Sequence, residues 1–345
     1  MIPIQNIYYM LSYAFQILNE QGYKNIATEQ FNNTAELMAA ILEKGIAIQL
    51  KRGLGKEYIP QTEALSSLRG KIDIAESIKT QSMLRKQLIC TYDEFSVNSI
   101  MNRIIKSTIE ILLRSNISKQ RKKNLRKLML YFSEVDLIDL YTVNWNVQYN
   151  RNNQTYRMLI SICYLVVKGL LQTQSNGHTK LMDFLDEQRM CRLYKKFILE
   201  YYRKEFKNQI TANASQIPWQ LDNEENSMLP VMQSDIMLQS GEKVLIIDAK
   251  YYEHSTQVQF DKHTLHSGNL YQIFTYVKNK EYELREKDHT VSGMLLYAKT
   301  DEEIYPNNVY QMSGNQIAVR TLDLNLPFDE IASQLNTIAK THFDL

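Results

Sequence analysis

Cysteine is scarce in this chain of 345 residues. Cys90, Cys163 and Cys191 are isolated and odd in number, so neither a disulfide framework nor a cysteine-based zinc cluster organises the fold, and a reducing cytoplasm is the expected compartment. Long apolar runs are also missing: the richest, Leu159 to Val167, is too short to cross a bilayer. The first residues are apolar and aromatic but carry no basic leader or cleavage site, so no membrane association is expected. No G-x-x-x-x-G-K-[ST] loop exists to cradle a nucleotide. Gly53-Leu54-Gly55-Lys56 comes nearest, but Leu50 stands where the first glycine belongs. The histidines His178, His254, His263, His266, His289 and His342 include no zincin pair, and no Gly-x-Ser-x-Gly turn is present to serve a serine hydrolase. Internal repeats and low-complexity tracts are absent.

What is present is ordinary globular material, 44% hydrophobic and 23% charged, long enough for two or three domains. Apolar spacing predicts helices over Asn6 to Leu18, with Ile7, Met10, Leu11 and Ala14 as the stripe, and over Thr34 to Leu50, with Thr34 as its cap. Short extended pieces follow from Glu57 to Asp73, broken by Pro60 and Gly70, and Ile89 to Phe95 reads as a strand. Helices resume at Asn98 to Arg114, Lys119 to Phe132 and Thr155 to Gln172. Gln174-Ser175-Asn176-Gly177-His178 is the best linker, which places a domain boundary near 175.

Chemistry concentrates after that boundary. Val244 to Ile247 is a continuous aliphatic run, the mark of a strand buried on both faces, and it turns charged only at its end, in Asp248-Ala249-Lys250. Alternation puts Asp248 and Lys250 on one face and the small Ala249 on the other. Upstream, Ile236-Met237-Leu238 leads into the polar turn Gln239-Ser240-Gly241-Glu242, so Asp235 and Asp248 are expected to meet across a hairpin. Two adjacent carboxylates repel each other unless a cation lies between them, and hard oxygen ligands select Mg²⁺ or Mn²⁺. Lys250 would then orient the attacking water of a phosphodiester hydrolysis. An exposed ion pair is the bland alternative for Asp-x-Lys at a strand end.

His266-Ser267-Gly268-Asn269 reads as a loop and helix start, and Leu270 to Val277 as a helix that carries Gln272 and Tyr276 one turn apart on one face. A strand ending in Asp-x-Lys, followed by a helix bearing Gln-x-x-x-Tyr and then the apolar strand Gly293 to Tyr297, resembles the RecB-like branch of the PD-(D/E)xK nucleases. The resemblance implies that Gln272 and Tyr276 support the metal site. His266 resembles the His of a His-Ser-x-Asn loop, where positioning and direct chemistry both remain open.

A second set of residues resembles the McrC family: Ile2-Pro3-Ile4-Gln5-Asn6-Ile7-Tyr8-Tyr9-Met10-Leu11-Ser12-Tyr13-Ala14, then Leu68-Arg69-Gly70-Lys71-Ile72-Asp73, then Asp93-Glu94-Phe95-Ser96 and Asn102-Arg103-Ile104-Ile105-Lys106. It covers nearly the whole chain, in order. It implies the nuclease subunit of an McrBC restriction system acting on double-stranded DNA, with 5-methylcytosine as the family's best-known mark. It also implies an McrB-like AAA+ ring as partner, which hydrolyses GTP, while this chain binds no nucleotide and stimulates that hydrolysis.

Two departures stand out. Lys195, in the helix Met190 to Glu200, occupies the position where related nucleases carry Glu, with Glu200 as a candidate substitute. Ser234, not proline, precedes Asp235, with Pro230 displaced upstream. Net charge is only +2, so nucleic-acid contact must be argued from distribution. Between Met101 and Leu130, lysine and arginine greatly outnumber the single Glu110, and Arg121, Lys122 and Lys123 are the candidate phosphate contacts. A solvated helical face or an acidic partner would explain the same run.

The expected protein is therefore of mixed α+β class. Residues 1–175 form a helical and β-containing region that docks on the ring and stimulates its GTPase, and residues 176–345 form a PD-(D/E)xK α/β/α endonuclease. Catalysis falls to Asp235, Asp248, Lys250, Gln272 and Tyr276, with Mg²⁺ or Mn²⁺ held by Asp235 and Asp248. A non-catalytic activator of the motor with a degenerate nuclease fold, or a stand-alone RecB-like nuclease, are the competing readings.

Overall fold

The computed structural model describes residues 2–15, 18, 23, 26, 29, 31, 33–150, 153–174, 187–223, 228–252, 257–259, 262–299 and 305–345. His178, His254 and most of the expected linker lie outside these residues. The chain divides into two compact units, one of residues 32–182 and one of residues 1–31 together with 183–345. The single division expected near 175 therefore differs at the N-terminus, whose first 31 residues pack with the C-terminal part.

The cause is visible in helix α1 (Ile4–Ala14). Asn6 Nδ2 donates to the carbonyls of Leu324 and Leu326, both at 2.8 Å, far along the chain. Tyr9 stacks on Phe328 at 4.5 Å, and Tyr13 joins Phe328, Phe197 and Tyr201 in one aromatic cluster. The predicted stripe of Ile7, Met10, Leu11 and Ala14 is buried.

The unit of residues 32–182 begins with α2 (Thr34–Arg52), capped by Asn33 and not by Thr34: the Asn33 side chain accepts from the Glu36 amide at 2.9 Å. A three-stranded antiparallel sheet follows, with β3 (Leu88–Ser96) between β1 (Glu57–Leu65) and β2 (Lys71–Asp73). The short helix α3 (Ile74–Lys79) connects β2 to β3. Gly70 is required here, because its φ is +61° and a Cβ would lie 2.3 Å from the Thr91 carbonyl oxygen. Helices α4 (Ile100–Arg114), α5 (Lys119–Met129) and α6 (Tyr156–Gln174) pack with α2. Tyr156 ties sheet and helices together: its hydroxyl accepts from the Gly55 amide and donates to Asn102 Oδ1, both at 2.7 Å.

The second unit continues with α7 (Glu187–Glu205) and a six-stranded mixed sheet. Its strands are β4 (Thr211–Asn213), β7 (Ile236–Ser240), β8 (Lys243–Lys250), β11 (Thr290–Ala298), β12 (Asn308–Met312) and β13 (Asn315–Leu322), in the order β12-β13-β11-β8-β7-β4. Strands β8, β11 and β13 are parallel, and the others are antiparallel to their neighbours. Two small pairs, β5 (Gln216–Ile217) with β6 (Met232–Gln233) and β9 (Gln257–Gln259) with β10 (Lys262–Thr264), lie outside it. Helix α8 (Ser267–Glu283) crosses over from β8 to β11, and α9 (Phe328–Phe343) packs on β13.

Val244 and Ile246 of β8 pack with Ile273 and Val277 of α8. Alternation turns Leu245, Ile247 and Ala249 to the other face, beside α7. Gly293 of β11 lets α8 lie close to the sheet, since a Cβ there would lie 2.8 Å from both Ile273 and Val277. The result is a helix–sheet–helix sandwich, as the mixed α+β expectation required. No helix among the described residues is long and apolar enough to cross a membrane.

Candidate active site

Strand β7 begins at Ile236, so Asp235 sits one residue before the ladder rather than within it. Ile236 pairs with Ile247, and Ser240 with Lys243 around Gly241, whose φ is +57°. The register therefore sets Asp235 against Asp248 at the open end of the hairpin. Ser234 does work that a proline could not: its amide and hydroxyl both donate to the Ser215 carbonyl, at 3.0 and 3.1 Å, and its Oγ accepts from the Ser215 amide. This clamp holds Asp235 in place. Pro230 is remote from that task, its carbonyl accepting from Trp219 Nε1 at 2.7 Å.

Asp235 Oδ2 accepts from the Ala249 amide at 3.0 Å, and Lys195 Nζ lies 2.8 Å from Oδ1. Asp248 is 2% exposed. Burial, then its contact with Asp235, raises its carboxyl well above the usual range, although Lys250 pulls the other way. Lys250 Nζ is 2.9 Å from Asp248 Oδ2 as an ion pair, and this buried oxygen has charge compensation but no hydrogen-bond donor. Burial alone would lower the Lys195 ammonium, but Asp235, with Asp248 behind it, raises it above its ordinary value.

From Lys250 the polar chain runs into α8. Its ammonium donates to Gln272 Oε1 at 3.0 Å, and Gln272 Nε2 donates to the Tyr276 hydroxyl at 2.9 Å. The five residues expected to act together are thus contiguous.

Other expected residues stand apart. Glu200 pairs with Arg203 at 2.8 Å; lying five positions after Lys195, it is turned well round the helix from it. The ring of His266 packs edge-on against Tyr252 at 5.5 Å, on the approach to α8. Arg121 bridges Glu36 and Glu43 of α2 at 3.3 and 2.9 Å, so its guanidinium serves the fold; Lys122 is half-buried and Lys123 exposed.

Sequence reasoning missed two features. Lys195 was legible as a departure but not as a direct partner of Asp235. Asn269, 8% exposed, donates to the Tyr297 hydroxyl at 2.9 Å and accepts from the Tyr252 hydroxyl at 3.3 Å. Tyr297 pairs in register with Lys250, so this network borders the site. Its signal was the polar Asn269 beginning an apolar helix.

Among the described residues no three His, Cys, Asp or Glu side chains cluster as a metal site. Two carboxylates, one with a buried oxygen lacking a hydrogen-bond donor, still suit a hard divalent cation with water completing its shell.

Residues 5–298 match the family described as the McrBC 5-methylcytosine restriction system component. The chain belongs to this family. It is 30% identical over 340 residues to the type IV methyl-directed restriction enzyme EcoKMcrBC of Escherichia coli strain K12, covering 97% of this chain and 96% of that one. As a family member it is a subunit of an McrBC-type restriction enzyme. Two solved assemblies from Thermococcus gammatolerans are also similar. One is a half-complex from a tetradecameric assembly of McrB AAA+ hexamers with bound McrC (18% identity, TM-score 0.47, 97% of this chain and 76% of that one). The other is an McrBC complex (21% identity, TM-score 0.41, 59% of each chain).

Proposed function

We propose that this family member is the DNA-cutting subunit of its restriction system, hydrolysing phosphodiester bonds at the Asp235–Asp248–Lys250 cluster. Asp235 and Asp248 would hold Mg²⁺, or Mn²⁺, which when bound supplies Lewis-acid polarisation of the phosphate and acidifies a bound water. Lys250, buried and fixed by Gln272, holds its ammonium at the edge of the carboxylate pair, where it orients the attacking water and offsets charge developing on phosphorus. Tyr276 in turn fixes the Gln272 amide. The observation that carries this reading is the convergence of these five side chains from the entry to β7, the end of β8 and helix α8.

The partner in this reading is an McrB-like GTPase ring that selects modified DNA, 5-methylcytosine being the mark in the family's description. Its docking surface is the sheet of the 32–182 unit, which exposes Tyr58 at 72% and Phe95 at 55%, their rings 5.0 Å apart, and the turn between α3 and β3, where Leu84 is 81% exposed. Apolar exposure of that kind marks a protein interface. Lys122 and Lys123 are the proposed phosphate contacts of α5.

The Lys195–Asp235 pair favours one competing reading, that of an activator without catalysis. The two are separated by Asp248→Ala, assayed for Mg²⁺-dependent DNA cleavage with the ring and GTP present. Loss of cutting with GTPase stimulation intact supports the nuclease; undiminished cutting removes the site assigned here.

A further inference from the structure

Four charged side chains meet at the open end of the β7–β8 hairpin: the carboxylates of Asp235 and Asp248 and the ammonium groups of Lys195 and Lys250. Their formal charges cancel. The two carboxylates are nevertheless not equivalent. Asp235 has both oxygens engaged, Oδ1 by Lys195 at 2.8 Å and Oδ2 by the Ala249 amide at 3.0 Å. Asp248 keeps a buried oxygen without a hydrogen-bond donor. Each carboxylate carries one ammonium, Lys195 on Asp235 and Lys250 on Asp248, so a divalent cation reaching this cluster must displace a positive charge.

The two lysines also differ. The Lys250 side chain is 9% exposed and anchored to Gln272, whereas that of Lys195 is 32% exposed. Among the described residues, Lys195 makes its ion pair with Asp235 alone. Lys195 therefore has solvent to swing into, and Lys250 does not. Lysine suits such a role because its ammonium is a compact point charge on a flexible stem, able to leave without disturbing the helix that carries it.

We infer that Lys195 is a cation gate: its ammonium occupies the place of a divalent ion at Asp235, and the ion enters only as Lys195 turns away. The gate rests on the nuclease reading above, because it presumes that Asp235 and Asp248 are the ligands. It sets the metal affinity of the site without touching the reacting atoms, so Lys195 acts as a positioning residue.

The test is Mn²⁺ binding to the full chain, read from the electron paramagnetic resonance of free Mn²⁺, in the absence of DNA and partner. Lys195→Met removes the charge at similar length and is expected to tighten binding on the order of tenfold, as loss of a like charge beside the ion requires. Lys195→Arg keeps the charge and should bind as the parent does, while Lys195→Glu should bind more tightly still. Equal or weaker binding by Lys195→Met overturns the gate. Asp248→Asn is the control for the underlying reading: if it leaves Mn²⁺ affinity unchanged, both the metal site and the gate are wrong. If it abolishes binding while Lys195→Met matches the parent, only the gate fails. Because Lys195 is a third exposed, these variants are expected to fold, and a thermal melt confirms it.

Discussion

Lys250 Nζ and Gln272 Oε1 are 3.0 Å apart, joining the end of a buried strand to the second turn of α8. The bond fixes an otherwise flexible ammonium, and Tyr276 fixes the amide that makes it. Gln272→Ala is therefore expected to lower kcat of cleavage by roughly 10- to 100-fold with little change in KM, since misplacing a catalytic group costs rate more than binding. Tyr276→Phe acts one step further out and should cost less. Steady-state cleavage with the ring and GTP measures both.

Asp248 adds a pH dependence to the metal-free protein. Its folded-state value lies above the unfolded one, through burial and the neighbouring Asp235. The stabilisation is thus fully present below the ordinary carboxylate range and is lost as pH rises through the raised value. Metal-free melting temperatures should fall across that window in the parent and respond less in Asp248→Asn, which stays neutral. Saturating Mg²⁺ should restore more stability at the alkaline end than at the acid end.

The basic helix α5 separates structural from surface charge. Arg121 is held between Glu36 and Glu43 with its side chain only 15% exposed. Arg121→Ala is expected to destabilise by about 1–3 kcal/mol, because two partly buried carboxylates lose the cation between them. Lys123→Ala should leave the melt unchanged. If α5 meets DNA, the double change Lys122→Ala with Lys123→Ala lowers the salt slope of binding by up to about 2.

The exposed rings of Tyr58 and Phe95 face each other across paired positions of β1 and β3. Replacing both by Ser is expected to cost little stability, as they are mostly exposed, yet to abolish stimulation of the ring's GTP hydrolysis. GTP turnover by the partner, titrated with parent and variant chain, checks this. Full stimulation would move the docking surface elsewhere.

How much of this was legible in sequence depends on the range of the interaction. The caps, the β8 run and the Gln272/Tyr276 spacing are local, and the elements appear nearly where expected: Thr34–Arg52 for Thr34 to Leu50, and Lys243–Lys250 for the strand ending in Asp248-Ala249-Lys250. Even the Thr34 cap shifted only to Asn33, a stronger capping residue. The grouping of α1 with the C-terminal unit was not legible, since it rests on Asn6 reaching carbonyls more than 300 positions away. Nor was the fate of Arg121, whose run of cations reads as one surface until α2 supplies two carboxylates to one of them.

The sequence alone determined the chemistry available: two carboxylates and a lysine at strand ends, Gln and Tyr one helical turn apart, and a further lysine, Lys195, on the helix that precedes them. Alternation and helical periodicity need no partner to be read, so those faces followed directly. Only the tertiary structure decided what each charge does, because that depends on which opposite charge lies within about 3 Å after folding. It gave Lys250 to Gln272, withdrew Glu200 to Arg203, and set Lys195 upon Asp235.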